Sequence, residues 1–304
     1  MKKGFKGFDK NLKCRGFQYE IGKEYETDKK PVRCTKNGFH FCENPLDIFS
    51  YYSPADSRFA EVEGFGEIST DEEDSKIAVS KIKIGAEINL HSLIESGVKF
   101  IFKKTTLTKK STNNTNYKAA SNSGDSGAAS NSGNRGAASN SGYRGAASNS
   151  GNRGAASNSG DSGAASNSGD RGAASNSGDS GAASNSGDSG AASNSGYRGA
   201  ASNSGYSGAA SNSGDRGAAS NSGDRGAALS TGFYSSAETL IDNSFACGLG
   251  YQNKVKGVLN SWITIAEYGD NYKVVCVKSA KIDGKKLKAD TWYILKDKKF
   301  QEAE

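Results

Sequence analysis

Residues 119–226 are twelve copies of one nine-residue unit, AASNSG-x-x-G, starting at Ala119, Ala128 and every ninth residue up to Ala218. This block holds 24 of the chain's 39 glycines. Apart from three tyrosines, it has no apolar side chain larger than alanine. A conventional core cannot be built from it. The chain is only 34% hydrophobic, and this block accounts for the deficit, because the other 196 residues have an ordinary composition. Worn copies flank the array at 110–118, at 227–235 (AALSTGFYS) and at 245–253 (FACGLGYQN). Terminal units of a stacked array must meet something other than another copy, so worn ends suit stacking.

Alternation in AASNS sends small residues to both faces, as a short strand requires, and glycines at positions six and nine would form the corners. Two units then make one coil of a thin β-solenoid. Twelve copies give six coils, roughly 29 Å at the spacing between paired strands. Each buried methyl contributes only about 0.8 kcal/mol. Stacking must therefore come from the backbone ladder and from polar ladders, for which the fourth-position asparagines, Asn122 through Asn221, are the candidates. The rival reading is a flexible Gly/Ser-rich linker. A calcium-binding β-roll needs a fixed Asp, yet position seven is Asn or Tyr in five of the twelve copies.

Positions seven and eight alone vary, and they define an outward stripe. Tyr143, Arg144, Arg153, Tyr197, Arg198 and Tyr206 are its candidate binding residues, since Tyr and Arg are frequent interface anchors. The plainer alternative is a solubilising stripe in which Arg offsets stacked Asp.

The flanks read as two modules. Residues 1–109 carry β-prone stretches at 13–22, 37–44, 57–68 and 75–88, and two helix signals. The first follows Asn44-Pro45 with Asp47 in its opening turn. The second is 89–104, where Leu90, Leu93, Ile94, Val98 and Ile101 recur at helical spacing around a disfavoured Gly97. This predicts an α+β recognition module with a small, mostly antiparallel sheet. Residues 110–235 form the solenoid. Residues 236–304 form a β-rich cap with strands at Ser261–Tyr268, Tyr272–Ala280 and Thr291–Leu295, and with Leu240, Phe245, Val258, Trp262 and Trp292 as its large apolar residues.

The net charge of +6 is spread thinly, and the array balances seven Arg against seven Asp, so charge does not point to nucleic acid. Five scattered cysteines without CxxC spacing suggest reduced thiols, and two histidines add no zinc pattern. No stretch approaches a membrane span, and MKKGFKGFDKN lacks the apolar run of a signal peptide. The expected compartment is the cytoplasm, with no cofactor. His40 and Cys42 alternate onto one strand face, where a buried thiol beside a hydrogen-bonded imidazole is the structural alternative to a reactive pair. Asp71–Asp74 reads as a solvated loop.

GFHFCENPLD at 38–47, RFAEVEG at 58–64, SKIAVSKIKIGAEI at 75–88 and the C-terminal module together resemble an uncharacterised family of bacteriophage and prophage proteins. That resemblance spans nearly the whole chain and implies a phage or prophage origin, without an established activity. The N-terminal module is also faintly similar to ADP-ribosyltransferase-like folds. There Arg15-Gly16-Phe17 would match the first element, Gly38–Phe41 with His40 the second and Ser50–Tyr52 the third. Glu61 or Glu63 would stand for the late glutamate. The similarity implies a nicotinamide dinucleotide in a cleft, or a catalytically inactive version of that fold.

The leading expectation is a non-enzymatic, phage-encoded interaction protein that inhibits a host defence system, of the anti-defence or anti-CRISPR type. Its solenoid would be a rigid display arm, and its C-terminal module could mediate homo-oligomer formation. A transferase-like enzyme and a virion structural or fibre component are the alternatives.

Overall fold

The computed structural model describes residues 1–70, 75–105 and 110–303, so the acidic run Asp71–Asp74 lies outside the described residues. The chain divides into two compact units, Met1–Phe100 and Ile101–Glu304.

The first unit is a small antiparallel β-structure. Its strands are β1 (Lys2–Phe8), β2 (Lys13–Cys14), β3 (Phe17–Gln18), β4 (Glu24–Glu26), β5 (Phe39–Cys42), β6 (Arg58–Ser69) and β7 (Lys76–Ile88). The pairings close on themselves, because β7 meets β5, β5 meets β1, β1 meets β6 and β6 returns to β7. Phe8, Phe39, Phe41, Val62, Ile77, Val79, Ile82 and Ile84 fill one core of this unit.

The stretch 13–22 is not one strand. It breaks at Arg15 and Gly16, both at positive φ (51° and 83°), into a two-residue-a-side hairpin. Two successive left-handed residues give the turn twist that antiparallel strands favour. The first helix signal is realised only as a 3-10 segment, Pro45–Ser50. Asn44 caps it, accepting from the Leu46 amide at 3.2 Å, and its own amide donates to Asp47 Oδ1 at 2.8 Å. Asp47 also accepts from the Ser75 amide at 3.1 Å, so the buried carboxylate is spent on tying this segment to β7. Ser53-Pro54 then turns the chain away before an α-helix can develop. The second signal is an α-helix, α1 (Leu90–Thr105). A Cβ at Gly97 would collide with the Leu46 side chain, which explains a glycine inside a helix.

The second unit is a β-solenoid with two repeats per coil. Strands of alternate repeats fall into two parallel sheets, each pairing residue i with residue i+18 in strict register, as in Ala155↔Ala173 and Ala164↔Ala182. Each sheet has nine parallel strands, from Lys110–Asn113 to Lys254–Lys256 in one and from Ala119–Asn122 to Trp262–Tyr268 in the other. Nine coils make an array roughly 43 Å long. The worn copies are therefore full members of the stack and lengthen it by half beyond the six coils of perfect repeats.

The second-position alanines form one continuous buried row, which ends on Val255, Ile263, Ile265, Tyr293 and Leu295. The antiparallel strands Val274–Lys281, Tyr293–Lys296 and Lys299–Glu302 close the C-terminal end. Phe245 and Trp262 are register partners on the outer face, 48% and 42% exposed, so they do not join the cap's core. The period explains this: Phe245 occupies position one, and in this sheet positions one and three point outward.

The fourth-position asparagines line the interior as two amide ladders. Asn140, Asn158, Asn176, Asn194 and Asn212 follow one another in one sheet, each donating to the next Oδ1 at 2.8–3.0 Å, and Asn149 through Asn221 do the same in the other. Each amide also donates to the carbonyl of the sixth-position glycine two residues on.

The corner glycines are required for close approach and not for backbone φ, since none of those in the array has positive φ. A Cβ at Gly142 would overlap the Gly124 carbonyl one coil back, and one at Gly145 would overlap the Asn140 amide. Position eight takes the left-handed conformation instead, at Arg135, Arg153, Arg216 and Arg225 and at the worn-copy residues Tyr117, Tyr234, Asn243 and Gln252. Two turn states result. The amides of Arg144, Ser162 and Arg198 donate to the preceding coil, whereas those of Arg135, Arg216 and Tyr234 donate to the following one. A flip of the central peptide is what separates type I from type II turns.

Candidate functional site

In the N-terminal unit, β1, β2 and β5 converge on one cavity of about 320 Å3. The tight hairpin puts Arg15 at its tip. β5 contributes His40 and Cys42, and β1 contributes Phe5 and Lys6. Tyr51 and Tyr52 follow the 3-10 segment and supply an aromatic wall. Lys76 stands at the start of β7, with its ammonium 4.0 Å from the Tyr51 ring.

Lys6 is the unusual residue here. It is only 3% exposed, donates to the His40 carbonyl at 2.7 Å, and lies 3.5 Å from Cys14 Sγ. Its ammonium also faces the Tyr19 ring at 4.9 Å. Burial lowers the Lys6 pKa, and the neighbouring Cys14 partly offsets this. His40 Nε2 lies 3.2 Å from the Val32 carbonyl. Burial pushes the His40 pKa down to about 4; the carbonyl opposes this, and Lys6, Lys76 and Arg15 push the same way. The imidazole is therefore neutral at pH 7. Burial likewise raises the Tyr52 phenol, helped by its hydrogen bond to Cys14.

Arg15 and His40 thus meet in one cavity. Glu61 and Glu63 do not line it: Glu61 is exposed on β6, and Glu63 is paired with Lys3 at 3.2 Å. Lys6 and Lys76 are lining residues that sequence reasoning missed. Lys6 sits in a strand with no apolar partner pattern to mark it as buried, and Lys76 is brought in by the fold alone.

Residues 2–96 match a family described as a domain of unknown function (DUF7666). This match covers the strands that build the cavity. No curated protein and no solved structure matches the chain. The DUF7666 region ends before the solenoid, so the array's surface stands on its own geometry.

Because each coil takes two repeats, the variable stripe is divided between two edges. Tyr143, Arg144, Tyr197 and Arg198 follow strands of one sheet, and Arg153 and Tyr206 follow strands of the other. Tyr143 and Tyr197 lie three coils apart on their edge. The denser cluster lies further on. The Arg216 guanidinium sits 6.0 Å from the Tyr197 ring and 5.9 Å from the Tyr234 ring, one on either side in the stack. Beyond it, Phe233 stacks parallel to Tyr272 at 6.0 Å, and Tyr251 packs between Tyr234, Tyr268 and Tyr272 at 4.9–6.0 Å. Phe233, Tyr234 and Tyr272 remain 40%, 43% and 60% exposed. On the other edge, Arg225 lies 5.5 Å from the Tyr206 ring.

The sequence did contain the signal for the denser cluster. Counting the nine-residue period onward through 227–253 places Phe233, Tyr234 and Tyr251 at positions seven and eight.

Proposed function

We propose that the protein is a non-enzymatic interaction protein of phage or prophage origin, acting in the bacterial cytoplasm by binding a host or defence protein through one edge of its solenoid. Inhibition of a defence system, of the anti-CRISPR or a related type, is the role this reading assigns to it. The observation that carries the reading is the exposed cluster around Arg216, held between Tyr197 and Tyr234 beside Phe233 and Tyr272. Arg and Tyr are over-represented among residues that dominate binding energy. Tyr197 and Arg216 project from turns held by the Asn194 and Asn212 side-chain amides, so little ordering cost is left for these two at the moment of binding. The end strand Val274–Lys281, with Val274, Val275 and Val277 half exposed, offers a route to self-association through the C-terminal module.

Affinity purification from phage-infected cells tests this. The full chain is expected to retain a reproducible partner that the Arg216→Ser/Phe233→Ser/Tyr234→Ser variant loses. No partner, or equal recovery by the variant, would overturn the edge as the working surface. Recovery of the protein in purified virions would assign it instead to a structural or fibre role.

The transferase-like reading draws support from the meeting of Arg15 and His40 in one cavity. It requires turnover of a nicotinamide dinucleotide that Arg15→Ala abolishes. The position of Glu61 and Glu63 outside the cavity's lining favours the binding role.

A further inference from the structure

The N-terminal cavity is distinctive in its charge. Lys6, Arg15 and Lys76 all line it, and no carboxylate is among its lining residues. An adjoining cleft of about 290 Å3 shares Lys6, Cys14, Arg15 and His40 and adds Lys29 and Lys36. Its single carboxylate, Glu26, is already engaged by Lys81 at 2.7 Å.

Burial of a lysine at 3% exposure against a carbonyl and a thiol, without an anion beside it, runs against the usual rule that buried charges are paired. His40 adds no negative charge, because it is neutral. The remaining walls are largely apolar, with the aromatic rings of Phe5, Phe41, Tyr51 and Tyr52 beside Ile48. The volume sits at the lower end of the range for small-molecule sites, roughly 300–1,000 Å3.

We propose that this cavity binds a small phosphomonoester that carries a flat apolar group. A phosphomonoester brings about −1.5 to −2 charges near neutral pH and three acceptor oxygens, which suits the lining Arg15 and Lys76, and a buried Lys6 whose charged form a bound anion would favour, better than a single carboxylate does. The Arg15 guanidinium, whose Nη1 already donates to the Thr35 carbonyl at 2.6 Å, offers its remaining N–H groups at the mouth, and the Lys6 amine stands at the base. The flat group lies against Tyr51 and Tyr52. This site asks for binding only, needs no turnover, and is independent of the solenoid edge.

The test uses the full chain and phenyl phosphate as the probe, followed by calorimetry and phosphorus NMR. Saturable one-site binding is expected, with inorganic phosphate weaker and phenol weaker still. Arg15→Gln and Lys6→Met should each weaken the affinity at least tenfold, while Lys3→Gln, outside the cavity, should leave it unchanged. Arg15 is exposed at a hairpin tip, so its variant keeps the test decisive even if Lys6→Met fails to fold. Absence of saturable binding at millimolar phenyl phosphate would overturn the proposal. So would equal affinity in wild type and Arg15→Gln, or phenol binding as tightly as phenyl phosphate.

Discussion

The side-chain amide of Asn158 donates to Asn176 Oδ1 at 2.9 Å, one coil further along the stack, and to the Gly160 carbonyl at 3.0 Å. Both asparagines are almost fully buried. The interior of the array is therefore a hydrogen-bonded ladder flanking a row of methyl groups. Removing the Asn176 rung leaves the buried Asn194 Oδ1 without its donor and Asn158 Nδ2 with only the Gly160 carbonyl. Asn176→Ala is expected to cost about 1–3 kcal/mol, read as a lower midpoint of thermal or urea unfolding. An unchanged midpoint would contradict a structural ladder.

Gly178→Ala tests close approach at the corner. A Cβ there would overlap the Gly160 carbonyl of the preceding coil, and a backbone atom cannot rotate aside. The loss should exceed about 2 kcal/mol, which is within the range for overpacking. Ser177→Ala, next to it on the exposed surface, should fall within about 0.5 kcal/mol of wild type. Circular dichroism during thermal unfolding separates the two.

Arg153 holds a left-handed φ of 62°, which costs a branched-Cβ-free L residue on the order of 1 kcal/mol. Asn tolerates this conformation better. Arg153→Asn is therefore expected to raise stability by about 0.5 kcal/mol, seen as a higher midpoint. Arg171→Asn, where φ is not positive, should show no such gain.

His40 makes the N-terminal unit sensitive to acid. Its folded-state pKa, about 4, lies below the ordinary value of 6.5. Between these values the unfolded chain binds a proton that the folded one refuses, so stability falls as pH drops from 6.5 towards 4. Above 6.5 the group is neutral in both states and contributes no slope. Urea midpoints measured across this window should decline in the wild type, and the slope should be shallower in His40→Gln.

Deletions distinguish the coil from the repeat. Removing eighteen residues, 155–172, takes out one coil and keeps every downstream turn on its own edge, so Tyr143 and Tyr197 stay on the same side. Removing nine, 155–163, transfers Tyr143 and Arg144 to the edge opposite Tyr197. Both variants should fold. Crosslinking between cysteines placed at positions 143 and 197 should survive the first deletion with a shorter span and be lost in the second.

Much of the fold was legible because the repeat is so strict. The period pointed to strands, corners and an asparagine ladder, and two units per coil were favoured because a one-unit coil would leave almost no interior; the i to i+18 pairing bears this out. Local chemistry likewise marked Asn44 as a helix cap, and its side chain does accept from the Leu46 amide at 3.2 Å. Register was less visible. Which turns share an edge depends on the eighteen-residue coil, so Tyr197, Arg216 and Tyr234 come together only once the strands pair. The number of coils also depended on structure, because worn copies such as 236–244 keep the backbone ladder after their side chains have drifted. The N-terminal cavity was the least legible part. Lys6, Arg15, His40 and Lys76 are separated by up to seventy residues in the chain, and no local pattern relates them. They meet because β1, β5 and β7 pair in one sheet while a tight hairpin returns Arg15 over it. Short-range periodicity is written in the order of residues. Convergence of charge is a property of strand pairing, and only the tertiary structure decided it.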